Sequence, residues 1–269
     1  MNAKKFDIDL FEALNREYAD HPVARPPSDP GTLSKRAGKR ADRIEVLCGV
    51  RNRRILELGC GRGELASELA ERGAEVIAVD VTSYPEWNQR ARPRLRFVEA
   101  DLAAGHSISP ASIDVLCSVS VLEHVRRPID MLCACRDLLA PGGRFLLVAH
   151  LYRSATGSHR SREVFFPWPH LLFTDDVFEE FYRRRGRPPI GPAWLNKLTY
   201  ADYFRAFDQI GLTVEKEFKR RRVLDAAFHA RFYEELSKYS DDDLVTNAVD
   251  VLLSADRPRD PGGRTARQT

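Results

Sequence analysis

Hydrophobic positions in this chain come in short runs separated by helical patterns, the rhythm of strands alternating with helices. Ile55, Leu56 and Leu58 form the first run, and Glu64 to Arg72 follows as a helix closed by Gly73. Glu75-Val76-Ile77-Ala78-Val79-Asp80 predicts a second strand, Leu95 to Leu102 a third and Ile113 to Ser120 a fourth. Met131 to Leu139 has amphipathic helical spacing, Ala140-Pro141-Gly142-Gly143 predicts a turn, and Arg144 to His150 is the fifth strand. Further on, the pattern predicts a helix ending at Gly211, a strand from Leu212 to Phe218, a helix over Phe228 to Leu236 and a last strand from Ala248 to Ser254. Ahead of the first strand, Phe6 to Leu14 predicts a short helix and Pro22 to Gly31 breaks structure. Leu33 to Leu47 then predicts a longer helix with Arg36, Lys39, Arg40 and Arg43 on a wet face.

The junction of the first strand and its helix carries the first chemistry. Gly59, Gly61 and Gly63 stand at alternate positions, where missing side chains let a ligand meet backbone at a helix N-terminus. A dinucleotide G-x-G-x-x-G starting at Gly59 would need glycine at position 64, which is Glu64, and no phosphate-binding G-x-x-x-x-G-K-[ST] occurs. Asp80 ends the second strand, where an acid can accept both hydroxyls of a ribose.

Glu57-Leu58-Gly59-Cys60-Gly61-Arg62-Gly63 resembles motif I of class I S-adenosylmethionine (SAM)-dependent methyltransferases. The resemblance implies a Rossmann-like α/β fold: a seven-stranded sheet, six strands parallel and one antiparallel, with helices on both faces. It implies SAM as cofactor, S-adenosylhomocysteine as product, and Glu57, Gly59, Cys60, Gly61, Gly63, Asp80, Val81, Asp101, Leu102 and Ser118 as cofactor-binding residues. Within that set Val81 would pack on the adenine, Asp101 would bond its amino group and the Leu102 backbone would complete the contact.

Leu122-Glu123-His124 resembles a signature of ubiquinone- and menaquinone-type methyltransferases. Some relatives hold magnesium with an E-x-x-E-H arrangement, but Ser120 stands where its first Glu would be, which disfavours a divalent metal. If one is present, Glu123, His124 and His150 are the ligands expected. His124 after strand four and His150 at the end of strand five are expected to flank one pocket as catalytic residues, because neighbouring strands bring their ends together. A neutral imidazole suits removal of a hydroxyl proton; His150 is placed ahead of His124 as base, with His159 and His170 as the alternatives.

The expected organisation is an N-terminal helical arm over the active site (1–44), a methyltransferase domain (45–255) with a substrate-binding insertion (151–198), and a disordered tail (256–269). Arg153, His159, Arg160, Phe165, Phe166, Trp168, His170, Phe173 and Trp194 crowd the insertion. Aromatic faces among polar groups suggest O-methylation of a small polar acceptor such as a sugar, an oligosaccharide or a hydroxylated natural product. The alternatives are C- or N-methylation of a quinone, lipid or other metabolite, and a non-catalytic SAM-binding scaffold, against which the two histidines argue.

Composition adds limits. A net charge of +3 argues against a nucleic-acid partner, and Lys219 to Arg222 reads as a solvated basic loop. Cys48, Cys60, Cys117, Cys133 and Cys135 follow neither a zinc spacing nor a disulfide framework. The first residues lack a signal-peptide core and no apolar run reaches the length of a membrane span, so a cytoplasmic monomer or homodimer is expected.

Overall fold

The computed structural model describes residues 6–24, 30–188 and 195–255. Two helices, α1 (Ile8–Glu17) and α2 (Pro30–Cys48), precede the alternating core of β1 (Arg54–Leu58), α3 (Glu64–Glu71), β2 (Glu75–Asp80), α4 (Glu86–Arg90), β3 (Leu95–Glu99) and β4 (Ile113–Val119). A 3-10 turn (Leu122–His124), α5 (Pro128–Leu138) and β5 (Leu139–His150) follow, then α6 (Pro169–Leu172) and α7 (Asp175–Arg184). The chain closes with α8 (Tyr200–Ile210), β6 (Thr213–Arg221), α9 (Ala226–Arg231), α10 (Tyr233–Leu236), α11 (Asp241–Val245) and β7 (Thr246–Ser254).

The seven strands form one sheet in the order β3-β2-β1-β4-β5-β7-β6. β7 runs antiparallel to both β5 and β6, and the other pairings are parallel, so the sheet has the six-plus-one composition expected. Strand order reverses between β1 and β4, which leaves a crevice above their carboxyl ends, where ligands of open α/β sheets gather. The central strands β1, β2 and β4 are short apolar runs because both faces are covered. Leu56, Leu58, Ile77 and Leu116 pack toward α5 and α8, while Ile55, Val76, Ala78 and Cys117 pack toward α2 and α3.

Helix α2 meets the sheet through Ala37, Ala41, Ile44 and Cys48, one stripe at helical spacing, so the arm boundary expected at residue 44 falls inside a helix of the core. Its Arg43 is not purely wet: it pairs with Asp250, a fully buried carboxylate of β7 that also takes Arg220 at 2.6 Å. That shared carboxylate ties α2 to the antiparallel edge of the sheet.

Three other expectations change. The Ala140–Gly143 turn is drawn into β5, where the register slips between Ile113 and Val115; Gly143 faces the Ile113 carbonyl so closely that a Cβ would come within 2.8 Å. The Lys219–Arg222 run is no loop, because β6 continues to Arg221 and Lys219, Arg220 and Arg221 pair with Asp242 and Asp250. The aromatic residues of the insertion face inward: Phe166, Trp168, Phe173, Phe178 and Phe181 form a second core with Phe11 and Leu14 of α1 and with Phe228, Phe232 and Leu244. Edge-to-face rings around Phe11 hold α1 against the insertion. Trp194 and the expected tail lie outside the described residues.

Candidate active site

The glycine loop is built by left-handed backbone. Gly59, Gly61 and Gly63 sit at φ +75°, +52° and +85°, a region costly for any residue with a Cβ. At Gly59 a Cβ would strike Val121 at 2.1 Å, and at Gly63 it would strike the Phe97 ring at 2.6 Å. Gly61 is different: no protein atom would lie within 4 Å of a Cβ there, so its left-handed φ, and not a neighbouring side chain, is what favours glycine. The loop is held in place from below, where the Trp87 indole donates to the Gly61 carbonyl at 2.7 Å and stacks on Phe97. Trp87 was not legible as a site residue, since its helix α4 is only one turn long.

Asp80 accepts the Gly61 N–H at 2.8 Å and the Thr82 N–H at 3.3 Å, one on each oxygen. Each oxygen keeps a lone pair for a ligand hydroxyl. Asp101 forms a turn with the Ala103 N–H at 2.9 Å, which leaves its second oxygen outward. Val81 is 63% exposed, an apolar surface beside the two acids.

One cleft joins several of these groups, with Gly61 and Gly63 outside its lining. Gly59, Asp80, Val81, Asp101, Ser120, Val121 and His124 line it, with Met131 at the side, and its volume of about 520 Å³ suits a nucleoside-sized ligand. Glu57, Cys60, Leu102 and Ser118 do not reach it with their side chains, which are buried beneath the loop and strands. For Leu102 this agrees with a backbone contact. Ser118 is fully buried within β4, and Ser120, just past the strand end on left-handed backbone, lines the cleft. The residues fit SAM: apolar Val81 beside an outward acid for the adenine, Asp80 for the ribose, and open backbone at Gly61 for the methionine part.

At the far end of the cleft three imidazoles meet. His159 of the insertion lies between His124 and His150, at ring distances of 5.0 and 5.4 Å. His124 is on the cleft wall, while His150 sits one ring behind it. The Asn247 amide lies 3.5 Å from the His150 Nδ1, and its carbonyl oxygen accepts from Thr156 and Ser154, so the amide donates and Nδ1 accepts. Burial pushes His150 down to about 4 and His159 to about 3, with neighbouring cationic and imidazole groups adding to the fall, so both are neutral at pH 7. His170 is not part of this group; its Nε2–H donates to the Tyr152 carbonyl inside the insertion.

Glu123 is 3% exposed and burial pushes its carboxyl up to about 7. The backbone amides of Glu123 and His150 approach it, yet neither oxygen closes a hydrogen bond among the described residues. The set of metal-ligand type is Glu123, His124 and His159, not the expected set with His150, because the insertion swings His159 in front of that strand end. A divalent ion held there would supply Lewis-acid polarisation of an acceptor oxygen.

A family model described as a methyltransferase domain matches residues 32–217. The chain is 29% identical over 151 residues to a ubiquinone biosynthesis O-methyltransferase of Azoarcus sp. (strain BH72), covering 53% of this chain and 61% of the relative. The ubiquinone biosynthesis O-methyltransferase of Pseudomonas aeruginosa is 30% identical over 156 residues, covering 54% and 63%. The chain thus spans about three-fifths of the length of these curated relatives. Among solved structures, a SAM-dependent methyltransferase from Mesorhizobium loti superposes with TM-score 0.53 at 21% identity, covering 82% of this chain and 99% of that one. A Haemonchus contortus N-methyltransferase solved with phosphomonomethylethanolamine and S-adenosylhomocysteine gives TM-score 0.51 at 15% identity, covering 81% and 53%. With the model match spanning more than half of its residues and the sheet order described above, this chain belongs to the methyltransferase domain family, within the class I SAM-dependent superfamily.

Proposed function

We propose that the chain transfers the methyl group of SAM to a hydroxyl oxygen of a small ring-bearing acceptor, a hydroxylated natural product or quinone precursor. The observation that carries this reading is the single cleft that runs from Asp80 and Asp101 to His124. Cofactor held by the acids and the glycine loop would present its sulfonium toward the imidazole end. There the transfer is an in-line displacement: the acceptor oxygen bonds the methyl carbon, the carbon–sulfur bond breaks, and the hydroxyl proton leaves to the imidazole cluster. Placement supplies most of the acceleration.

Support for a phenolic rather than a saccharide hydroxyl comes from two sides. The curated relatives are named as O-methyltransferases of ubiquinone biosynthesis. The aromatic faces that favour a sugar reading are consumed by the second core, where Trp168 and Phe166 are at most 1% exposed. No helix among the described residues is long and apolar enough to cross a membrane, which suits an acceptor met from water or at a bilayer surface.

The test is S-adenosylhomocysteine formation over matched panels of catechols, other phenols, hexoses and amines. Turnover confined to the phenolic panel is expected. Turnover confined to hexoses would restore the saccharide reading, and turnover with amines would move the acceptor atom to nitrogen.

A further inference from the structure

Glu123, His124 and His159 each place one donor atom within 4.8 Å of the others. The group is assembled by two distant segments, the 3-10 turn after β4 and the insertion. His159 arrives on left-handed backbone at φ 56°, fixed by its N–H on the Thr156 carbonyl at 3.1 Å. Ser120 is likewise left-handed at φ 59° with its N–H on Val148. Such backbone costs a non-glycine residue of order 1–3 kcal/mol and concentrates where side chains must be aimed.

Glu123 is the second observation. A carboxyl taken out of water normally accepts several hydrogen bonds, and here both oxygens are buried with only the backbone amides of Glu123 and His150 approaching and no hydrogen bond closed among the described residues. The surrounding frame is rigid: Asn196 donates from its backbone to the Glu123 carbonyl at 2.9 Å and from its amide to the Leu122 carbonyl at 2.6 Å. An ion would draw the three donors in by about an ångström to reach bonds of roughly 2.0–2.2 Å.

The donor set decides which ion. An E-x-x-E-H arrangement offers two carboxylates and one imidazole, an oxygen-rich set suited to magnesium. In this chain Ser120 removes one carboxylate and His159 adds an imidazole. Two imidazoles and one carboxylate suit zinc, iron(II) or cobalt(II), whereas magnesium demands oxygen donors in a near-octahedral shell.

We propose that Glu123, His124 and His159 form a divalent transition-metal site, in which the histidine of the insertion replaces the missing carboxylate and shifts preference away from magnesium. The site leaves coordination positions for water or an acceptor oxygen, and its existence does not depend on the acceptor class.

The experiment titrates the full chain, first stripped with chelator, with cobalt(II) while following its ligand-field absorption, and measures SAM affinity by calorimetry in parallel. One equivalent of cobalt should give a visible band that zinc displaces and excess magnesium does not. His159→Asn, whose residue tolerates left-handed backbone, and Glu123→Gln should each weaken cobalt binding by at least tenfold. Unchanged SAM affinity in those variants shows that they are folded; where one has lost it, His159→Ala replaces it in the comparison. A featureless titration, displacement by magnesium, or wild-type cobalt affinity in folded His159 variants would overturn the site.

Discussion

Single residues carry the chemistry, and several were placed by spacing alone. Asp80 was legible because strand β2 ends in an acid after a glycine loop, and the structure adds that it also holds the loop through the Gly61 N–H. Asp80→Ala should therefore weaken SAM binding by about 1–3 kcal/mol, read by calorimetry. Gly61→Ala should fold, since open space surrounds the site, yet lose SAM affinity because the new methyl group occupies ligand space. Unchanged affinity in both would remove the cofactor assignment.

The histidines show where spacing runs out. Sheet topology predicts that the ends of β4 and β5 adjoin, but not that the insertion interposes His159. With His124 on the cleft wall and the Nδ1 of His150 facing Asn247, we expect His124→Ala to lower kcat by about 10²–10⁴. His150→Ala should cost clearly less, the reverse of the order expected from strand position. Steady-state rates at saturating SAM compare them.

Glu57 supplies a pH dependence of stability. Burial raises its carboxyl to about 8 from an ordinary 4.5, with Arg40 opposing the shift. An acid whose folded pKa is raised stabilises the fold fully below the unfolded value, and that contribution is lost as pH rises toward 8. Wild type should thus lose stability relative to Glu57→Gln between pH 4.5 and 8. Melting curves at pH 5 and pH 8 decide it: the advantage of the Gln variant should grow with pH, and a constant difference would contradict the burial argument.

At the scale of elements, the sequence pattern located every strand of the sheet, most plainly β1, β2 and β4, whose apolar runs are buried on both faces, while the edge strands β3 and β6 are part-exposed and carry charged residues. It failed where local signals conflict with tertiary packing. Pro141-Gly142-Gly143 signals a turn, and the segment instead lies within β5 as an irregularity: Leu139 pairs with Ile113 and Arg144 with Val115, with Gly142 left-handed at φ +75° between them. Helix α8 is the opposite case, its start written locally. Thr199 accepts the Asp202 N–H at 3.2 Å and Asp202 accepts the Thr199 N–H at 2.9 Å, a reciprocal cap. Thr199→Ala should cost about 0.5–2 kcal/mol in denaturant unfolding, with little effect on SAM affinity. A neutral substitution would mean that packing of Tyr203, Phe207 and Ile210 alone sets this helix.

For the whole molecule, the alternating core was legible because each βα unit announces itself within a few residues. The second core was not. Its rings come from α1, the insertion and the α9–α11 stretch, and nothing local distinguishes an aromatic that stacks on a ligand from one that packs against Phe11. Sequence reading assigned those rings to an acceptor; the structure assigns them to a cap that delivers His159. The cap and the sheet thereby divide the work, the sheet presenting Asp80, Asp101 and the glycine loop, and the cap closing the imidazole end.

In the proposed function, this one cleft moves a methyl group from sulfur to oxygen. Incubating the chain with SAM carrying a carbon-13 methyl and a catechol acceptor, then following the label by NMR, tests it most directly. A new methyl resonance on oxygen is expected, growing one for one with S-adenosylhomocysteine. SAM bound in the cleft with no transfer to any hydroxylated acceptor, or label found on carbon or nitrogen, would contradict it.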